Sequence, residues 1–191
     1  PPALPREKSS LSSEIELTME FLGLKGNDLF TNKVLQLNST LSIRFGVIVM
    51  GAAGCGKTTI RKVLMKTLNR LNLDPSTNST SNGNIEEFHI NPKALNLKEF
   101  YGEVDQYTKE WTDGVASSII RKANSNKKPV NSWIVFDGPI DALWIENMNN
   151  VLDDSMTLCL PNSERIKILD SLRMIFEVED LNVASPATVS R

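Results

Sequence analysis

The sequence predicts an α/β fold, a parallel sheet covered on both faces by helices. Three observations carry that expectation. Short continuous apolar runs, "FGVIVMG" (Phe45–Gly51) and "SWIVFDG" (Ser132–Gly138), have the pattern of strands buried on both faces. Longer stretches with apolar residues at helical spacing lie between the strand-like runs. Strands alternating with helices imply parallel pairing through crossovers.

The elements follow in order. Residues 1 to about 10, "PPALPREKSS", are rich in Pro and Ser and expected to fray. "SSEIELTMEFLGL" reads as a helix with Ser12 or Ser13 as its N-cap, and "TNKVLQLNSTLSIRF" as a second helix leading into the first strand. After that strand "TTIRKVLMKTLNRLNL" is a helix with Val63, Leu64, Leu68 and Leu71 on one face. "DPSTNSTSNGN" is a polar surface loop, and "IEEFHIN" a second strand ended by Pro92. "LKEFYGEVD" and "TKEWTDGVASSIIRKANS" both carry helix-period apolar residues. "DALWIENMNNVLDD" is a helix following the third strand, and "MTLCLPNSERIKIL" a hairpin turning at Pro161, Asn162 and Ser163. "RMIFEVEDL" is a fourth strand, and "SPATVSR" opens a last helix with Pro186 in its first turn.

A chain of 191 residues has room for one domain with a genuine core, and 40% hydrophobic with 23% charged residues is a globular composition. A net charge of −2 without a basic stripe gives no footprint for nucleic acid. No apolar run approaches bilayer length, and the N-terminus lacks a signal-peptide core, so no membrane partner is expected. Two cysteines, Cys55 and Cys159, make no disulfide framework and suit a reducing cytosolic setting. His89 is the only histidine, which argues against a structural zinc site. The chain does not begin with Met, and the expectation is a piece of a longer protein.

"GAAGCGKT", Gly51 to Thr58, matches the G-x-x-x-x-G-K-[ST] phosphate loop in the required place, after a buried strand and at the start of a helix. Gly51, Gly54 and Gly56 let the backbone turn so that successive N–H groups, including those of Ala52, Ala53, Cys55 and Thr59, converge on an anion. The helix adds its positive dipole end. Lys57 would reach the β- and γ-phosphates of ATP, and the Thr58 hydroxyl would ligate Mg²⁺. The simpler reading is a Gly-rich turn with a chance lysine, and the strand–loop–helix context disfavours it. Cys55 is read as a small residue that fits the loop, not as a redox group.

Such a site needs a second metal anchor from a neighbouring strand. Asp137, ending "WIVF", is placed for it, acting through a metal-bound water. The next residue, Gly138, offers no general base to an attacking water. Asp141 and Glu146 lie at or beyond the start of a helix and are no ready substitutes. The residues therefore predict nucleotide binding with slow or absent hydrolysis.

Several longer stretches extend the reading. "INPKALNLKEFYGEVDQYTKEWTDGVASSIIRK", "WIVFDGPIDALWIENMNNVLDDSMTLCLPNSERIKI" and "MIFEVEDLNVASPATVSR" resemble the second AAA+ module of a dynein heavy chain, most closely the axonemal type. The resemblance runs from about Phe45 to Arg191, with residues 1–44 as a helical lead-in. It implies a P-loop NTPase large subdomain with a hairpin insertion, continued beyond Arg191 by a strand and a helical lid. It makes Gly51–Thr58 the Walker A loop and Asp137 the Walker B aspartate. "FDG" in place of "FDE" fits a module that holds ATP while its neighbour hydrolyses. Asp180 falls where a hydrolysing module has a sensor asparagine and would repel the γ-phosphate region. Arg191, by composition alone an ordinary helix-surface arginine, falls where an arginine finger would reach the adjacent module's nucleotide. The segment "NLDPSTNSTSNGNIEE" resembles an insertion relative to the family.

The partners so implied are adjacent AAA+ modules of the same chain in a ring, and for the parent other dynein chains and microtubules. Localisation would be the cytoplasm and cytoskeleton, with a cilium or flagellar axoneme favoured. No stalk-like heptad pattern is present, so microtubule contact is not expected in this segment. Trp111, Trp133 and Trp144 read as core or interface residues, and His89 as structural. "NPK" (Asn91–Lys93) and "DG" (Asp113, Gly114) have no chemistry assignable from sequence. The competing readings are a free-standing P-loop kinase acting on a small molecule, and a degenerate module that holds no nucleotide. The first lacks an acceptor-site base and an arginine-bearing lid; the intact Lys57–Thr58 pair opposes the second.

Overall fold

The computed structural model describes residues 10–73, 84–125, 131–152 and 155–181. Its centre is a four-stranded parallel sheet formed by β1 (Gly46–Met50), β2 (Glu86–Ile90), β5 (Ser132–Asp137) and β8 (Leu172–Val178), in the order β1-β8-β5-β2. The register sets Asp137 of β5 opposite Glu177 of β8, and Val135 between His89 and Ile175. The interior strands β5 and β8 are buried almost throughout. β1 departs from expectation: among the described residues it is an edge strand, so only Val47 is buried and Met50 lies 60% exposed.

Side chains alternate across a strand, and the two faces are covered by different elements. On one face α1 (Ser10–Phe21), α2 (Asp28–Ile43) and α3 (Lys57–Leu73) pack against Val47, Trp133, Val135 and Ile175. Ile15 and Met19, then Val34, Leu37 and Leu41, are the buried stripes of α1 and α2 at helical spacing. Glu14 and Arg70 tie α1 to α3 at 2.9 Å. Both helices start earlier than expected. α1 begins at Ser10, leaving Ser12 inside it and buried. α2 is capped by Asn27, whose side-chain oxygen accepts the Phe30 N–H at 2.8 Å, with Asp28 favouring the positive helix end. On α3 Val63 and Leu64 are fully buried, while Leu68 and Leu71 are partly so.

The other face is aromatic. Phe136 and Phe176 stack at 4.8 Å, Trp144 of α6 (Ala142–Leu152) stacks on Phe136 at 5.5 Å, and Phe100 of α4 (Leu97–Tyr101) lies 5.8 Å from Trp144. Asn96 caps α4 in a capping box with Glu99. Tyr101 donates its hydroxyl to the Trp144 carbonyl at 2.5 Å, and burial pushes that phenol's pKa up. The expected hairpin is present as β6 (Thr157–Cys159) and β7 (Arg165–Lys167), paired antiparallel.

A second hairpin was not expected. "LKEFYGEVD" leaves the helix at Tyr101 and forms β3 (Gly102–Val104), paired with β4 (Trp111–Asp113) ahead of α5 (Val115–Ser125). The Asp105 carboxylate takes the N–H groups of Tyr107 and Thr108 at 2.7 and 2.8 Å, turning the chain where a helix would have run on. This also accounts for "DG". Asp113 accepts from Trp111 Nε1 at 2.6 Å and pairs with Arg121 at 2.7 Å, while a Cβ on Gly114 would meet the Glu99 carbonyl at 2.6 Å. Trp133 and Trp144 are buried and Trp111 is partly so. The expected loop 74–84 lies outside the described residues except for Asn84, and the expected last helix, with Arg191, lies outside them entirely.

Candidate phosphate-binding site

The loop between β1 and α3 is held at both ends by backbone bonds. Gly51 N–H donates to Val178 at 3.1 Å, extending the β1–β8 ladder, and Ile60 N–H donates to Gly56 at 2.9 Å, closing the first turn of α3. Gly54 and Gly56 take φ of +77° and +96°, which residues with a Cβ rarely adopt. Lys57 folds along the loop and donates to the Gly51 and Ala52 carbonyls at 2.5 and 3.0 Å.

A pocket of about 580 Å³ opens beside this loop, in the range of small-molecule sites. Ala53, Gly54, Lys57 and Thr58 line it from the loop, Asp137 and Gly138 from the end of β5, and Glu177 and Asp180 from β8 and beyond. The chain-distant residues picked from sequence are thus brought together at the C-terminal ends of three parallel strands, where open α/β sheets bind ligands. Gly51, Ala52, Cys55, Gly56 and Thr59 frame the loop without lining the pocket. Cys55 is a free, exposed thiol. Asp141 faces a neighbouring apolar groove of about 680 Å³, which meets the phosphate side only through Lys93, Pro139 and Ile140.

Gly138 has a steric context. Its φ of +158° is one that residues with a Cβ rarely adopt, so backbone and space both constrain the position. A Cβ there would lie 3.3 Å from Asn91 Oδ1 and 3.6 Å from Pro92 Cδ. The Asn91 side chain accepts the Lys93 N–H at 3.1 Å and starts the 3₁₀ turn Pro92–Ala94. The "NPK" stretch therefore packs beside Gly138 and places Lys93 on the pocket wall.

Sequence reasoning missed Glu177. It is 2% exposed and lies on the same sheet face as Asp137. Its Oε2 accepts the Thr58 hydroxyl at 2.5 Å and its Oε1 accepts Arg61 Nε at 2.5 Å. Arg61, one turn along α3 and equally buried, also donates to Glu87 of β2. His89 Nε2 lies 2.9 Å from the other Glu87 oxygen. Burial, then the Arg61 guanidinium, lowers the His89 pKa, so the ring is neutral at pH 7 and donates that bond. His89 is half-exposed and no core residue. The available signal was a glutamate at inward parity within "MIFEV" and an arginine four residues after Lys57.

The donors fit a hard divalent cation, since Thr58 and Asp137 both offer oxygen on the pocket side of the loop. Convergent loop amides with Lys57 fit a phosphate. A family model described as "AAA domain (dynein-related subfamily)" matches residues 46–191.

The chain belongs to the dynein-related AAA family. That membership implies nucleotide binding and displaces the kinase alternative. Dynein axonemal heavy chain 2 of Homo sapiens is 45% identical over 183 residues, covering 95% of this chain and 4% of that protein. Dynein axonemal heavy chain 6 of Homo sapiens is 45% identical over 181 residues, with the same coverage of each chain. The cytoplasmic dynein heavy chain of Paramecium tetraurelia is 39% identical over 188 residues, covering 97% of this chain and 4% of that protein. This dynein-related AAA chain thus spans about 4% of the length of the relatives it matches. Among its described residues no helix is long and apolar enough to cross a membrane.

Proposed function

We propose that this chain is a ring module of a dynein heavy chain, the second AAA+ module, which holds ATP with Mg²⁺ and hydrolyses it slowly or not at all. The observation that carries the reading is Gly138 with Asn91 and Pro92 packed beside it. The position following the metal-side aspartate carries no general base, and a Cβ there would press on Asn91 Oδ1 at 3.3 Å. Bound Mg²⁺ would neutralise phosphate charge, and Thr58 and Asp137 would hold it, Asp137 through water. Lys57 would exchange its loop carbonyls for phosphate oxygens, and the loop amides would orient the same group. Lining the pocket, Asp180 adds negative charge where hydrolysis would need a polarising donor.

In the parent protein the module would serve as a nucleotide-locked support for a hydrolytic neighbour, with residues 1–44 as its lead-in and Arg191 reaching the adjacent module's nucleotide. ATP-driven movement on microtubules would belong to the whole chain, and the names of the relatives favour a ciliary or flagellar axoneme. The test pairs equilibrium binding of a fluorescent ATP analogue with phosphate release from the same sample. Binding in Mg²⁺ without release above the protein-free rate is expected. Sustained release that disappears in Lys57→Ala would overturn the reading.

A further inference from the structure

Resting on the nucleotide-holding reading, the buried acid on β8 gains a specific role. A threonine hydroxyl has one hydrogen and two lone pairs. Thr58 gives its hydrogen to Glu177 at 2.5 Å, which turns that hydrogen toward the sheet and leaves the lone pairs for another partner. Glu177 is itself fixed, because its second oxygen is taken by Arg61 Nε. Arg61 is in turn held across β5 by Glu87. With both oxygens engaged and the side chain only 1% exposed, Glu177 is poorly placed to bind a cation directly. Asp137, exposed at the end of the adjacent strand and on the pocket wall, is a carboxylate open to the cation side.

We propose that Glu177 is a positioning residue for the metal-binding hydroxyl. It orients Thr58 so that a lone pair faces the cation of a bound Mg²⁺–nucleotide, and Arg61 with Glu87 locks Glu177 in that pose. Outer-shell partners of this kind orient ligands, and their loss typically weakens metal binding about 10- to 100-fold. A solely structural ion cluster would instead affect folding and all nucleotide binding together.

The experiment measures the affinity of a fluorescent ATP analogue for the full chain in excess Mg²⁺ and in EDTA, with thermal unfolding in parallel. The ratio of the two affinities is the Mg²⁺ enhancement. Glu177→Gln is expected to cut that enhancement about tenfold while the EDTA affinity stays within about twofold. Thr58→Val should do the same, the double variant should be no worse than Thr58→Val alone, and Thr58→Ser should keep the enhancement. Should Glu177→Gln not fold, Glu87→Gln loosens Arg61 without touching Thr58, and about a threefold fall in enhancement is expected. An unchanged enhancement in either carboxylate variant, or an equal loss with and without Mg²⁺, overturns the proposal. Wild-type protein that binds nucleotide equally well in both conditions also overturns it. Wild-type protein that binds no nucleotide at all overturns the nucleotide reading beneath it.

Discussion

The two faces of the central sheet solve different problems with the same strands. Even-numbered residues of β8 and β5, among them Phe176, Met174, Phe136 and Ile134, enter an apolar layer closed by Phe100 and Trp144. Odd-numbered residues give Ile175, Val135 and Trp133 to the opposite apolar layer, but end in Glu177 and Asp137 at the ligand-facing edge. One face gains stability from close packing, which a cavity damages. The other buries Arg61 between two carboxylates, and such ion clusters often add little net stability over apolar residues of similar volume. The bond from Thr58 to Glu177 ties this cluster to the site, and the contrast can be tested from each side.

The largest expected effect lies on the aromatic face. Phe176→Ala removes the ring stacked on Phe136 and should cost about 3–5 kcal/mol in urea unfolding. Where the variant remains folded, nucleotide affinity should be unchanged. On the opposite face, Arg61→Met leaves Glu177 and Glu87 buried without their cation and should destabilise by about 3 kcal/mol. Adding Glu177→Leu and Glu87→Leu should recover most of that stability but not Mg²⁺-dependent binding. If the triple variant recovered both, the two faces would differ in composition only.

Lys57→Ala sharpens the same contrast at the rim. Its loss should weaken nucleotide binding about 10- to 100-fold, with little change in the unfolding midpoint, since the lost bonds are to partly exposed loop carbonyls. Asn96→Ala should cost about 1 kcal/mol of stability through the α4 capping box, with no effect on nucleotide.

Smallest is the pH response of the exposed Arg121–Glu164 pair. Hydrogen bonds from Arg121 hold the Glu164 carboxyl below the usual range. A depressed carboxylate contributes stability that is complete above its unfolded pKa and is lost as pH falls through the folded one. Glu164→Gln should therefore differ slightly from wild type at neutral pH and converge with it as acid protonates the carboxyl, as read by urea midpoints. Divergence on acidification would contradict the assignment.

How far the sequence revealed this architecture follows the same division. β5 and β8 were legible because continuous apolar runs leave few alternatives, and the phosphate loop because its glycines, lysine and threonine are locally sufficient. β1 was legible as a strand but not as an edge, since strand order depends on pairings 128 residues apart, such as Gly46 with Met174. The β3–β4 hairpin was missed because three-residue strands carry almost no periodicity. The Asp105 turn that creates it is a single side chain competing with a helix. Asp180 was singled out because the family resemblance puts it where a hydrolysing module has a sensor asparagine, whereas the bond to Thr58 is made by Glu177. Its partners lie 116 and 119 residues away, and only strand parity hinted at them. "NPK" was opaque for a similar reason: its role beside Gly138 arises from β2 and β5 pairing in parallel.

The central proposal is that the pocket binds ATP and keeps it intact, because Gly138 puts no carboxylate directly after the metal-side Asp137. The most direct measurement loads the chain with labelled ATP and Mg²⁺, removes free nucleotide, and quenches aliquots in acid over hours. The account predicts that retained nucleotide stays triphosphate for as long as it stays bound. Conversion to ADP on the protein within minutes, abolished by Asp137→Asn, would contradict it.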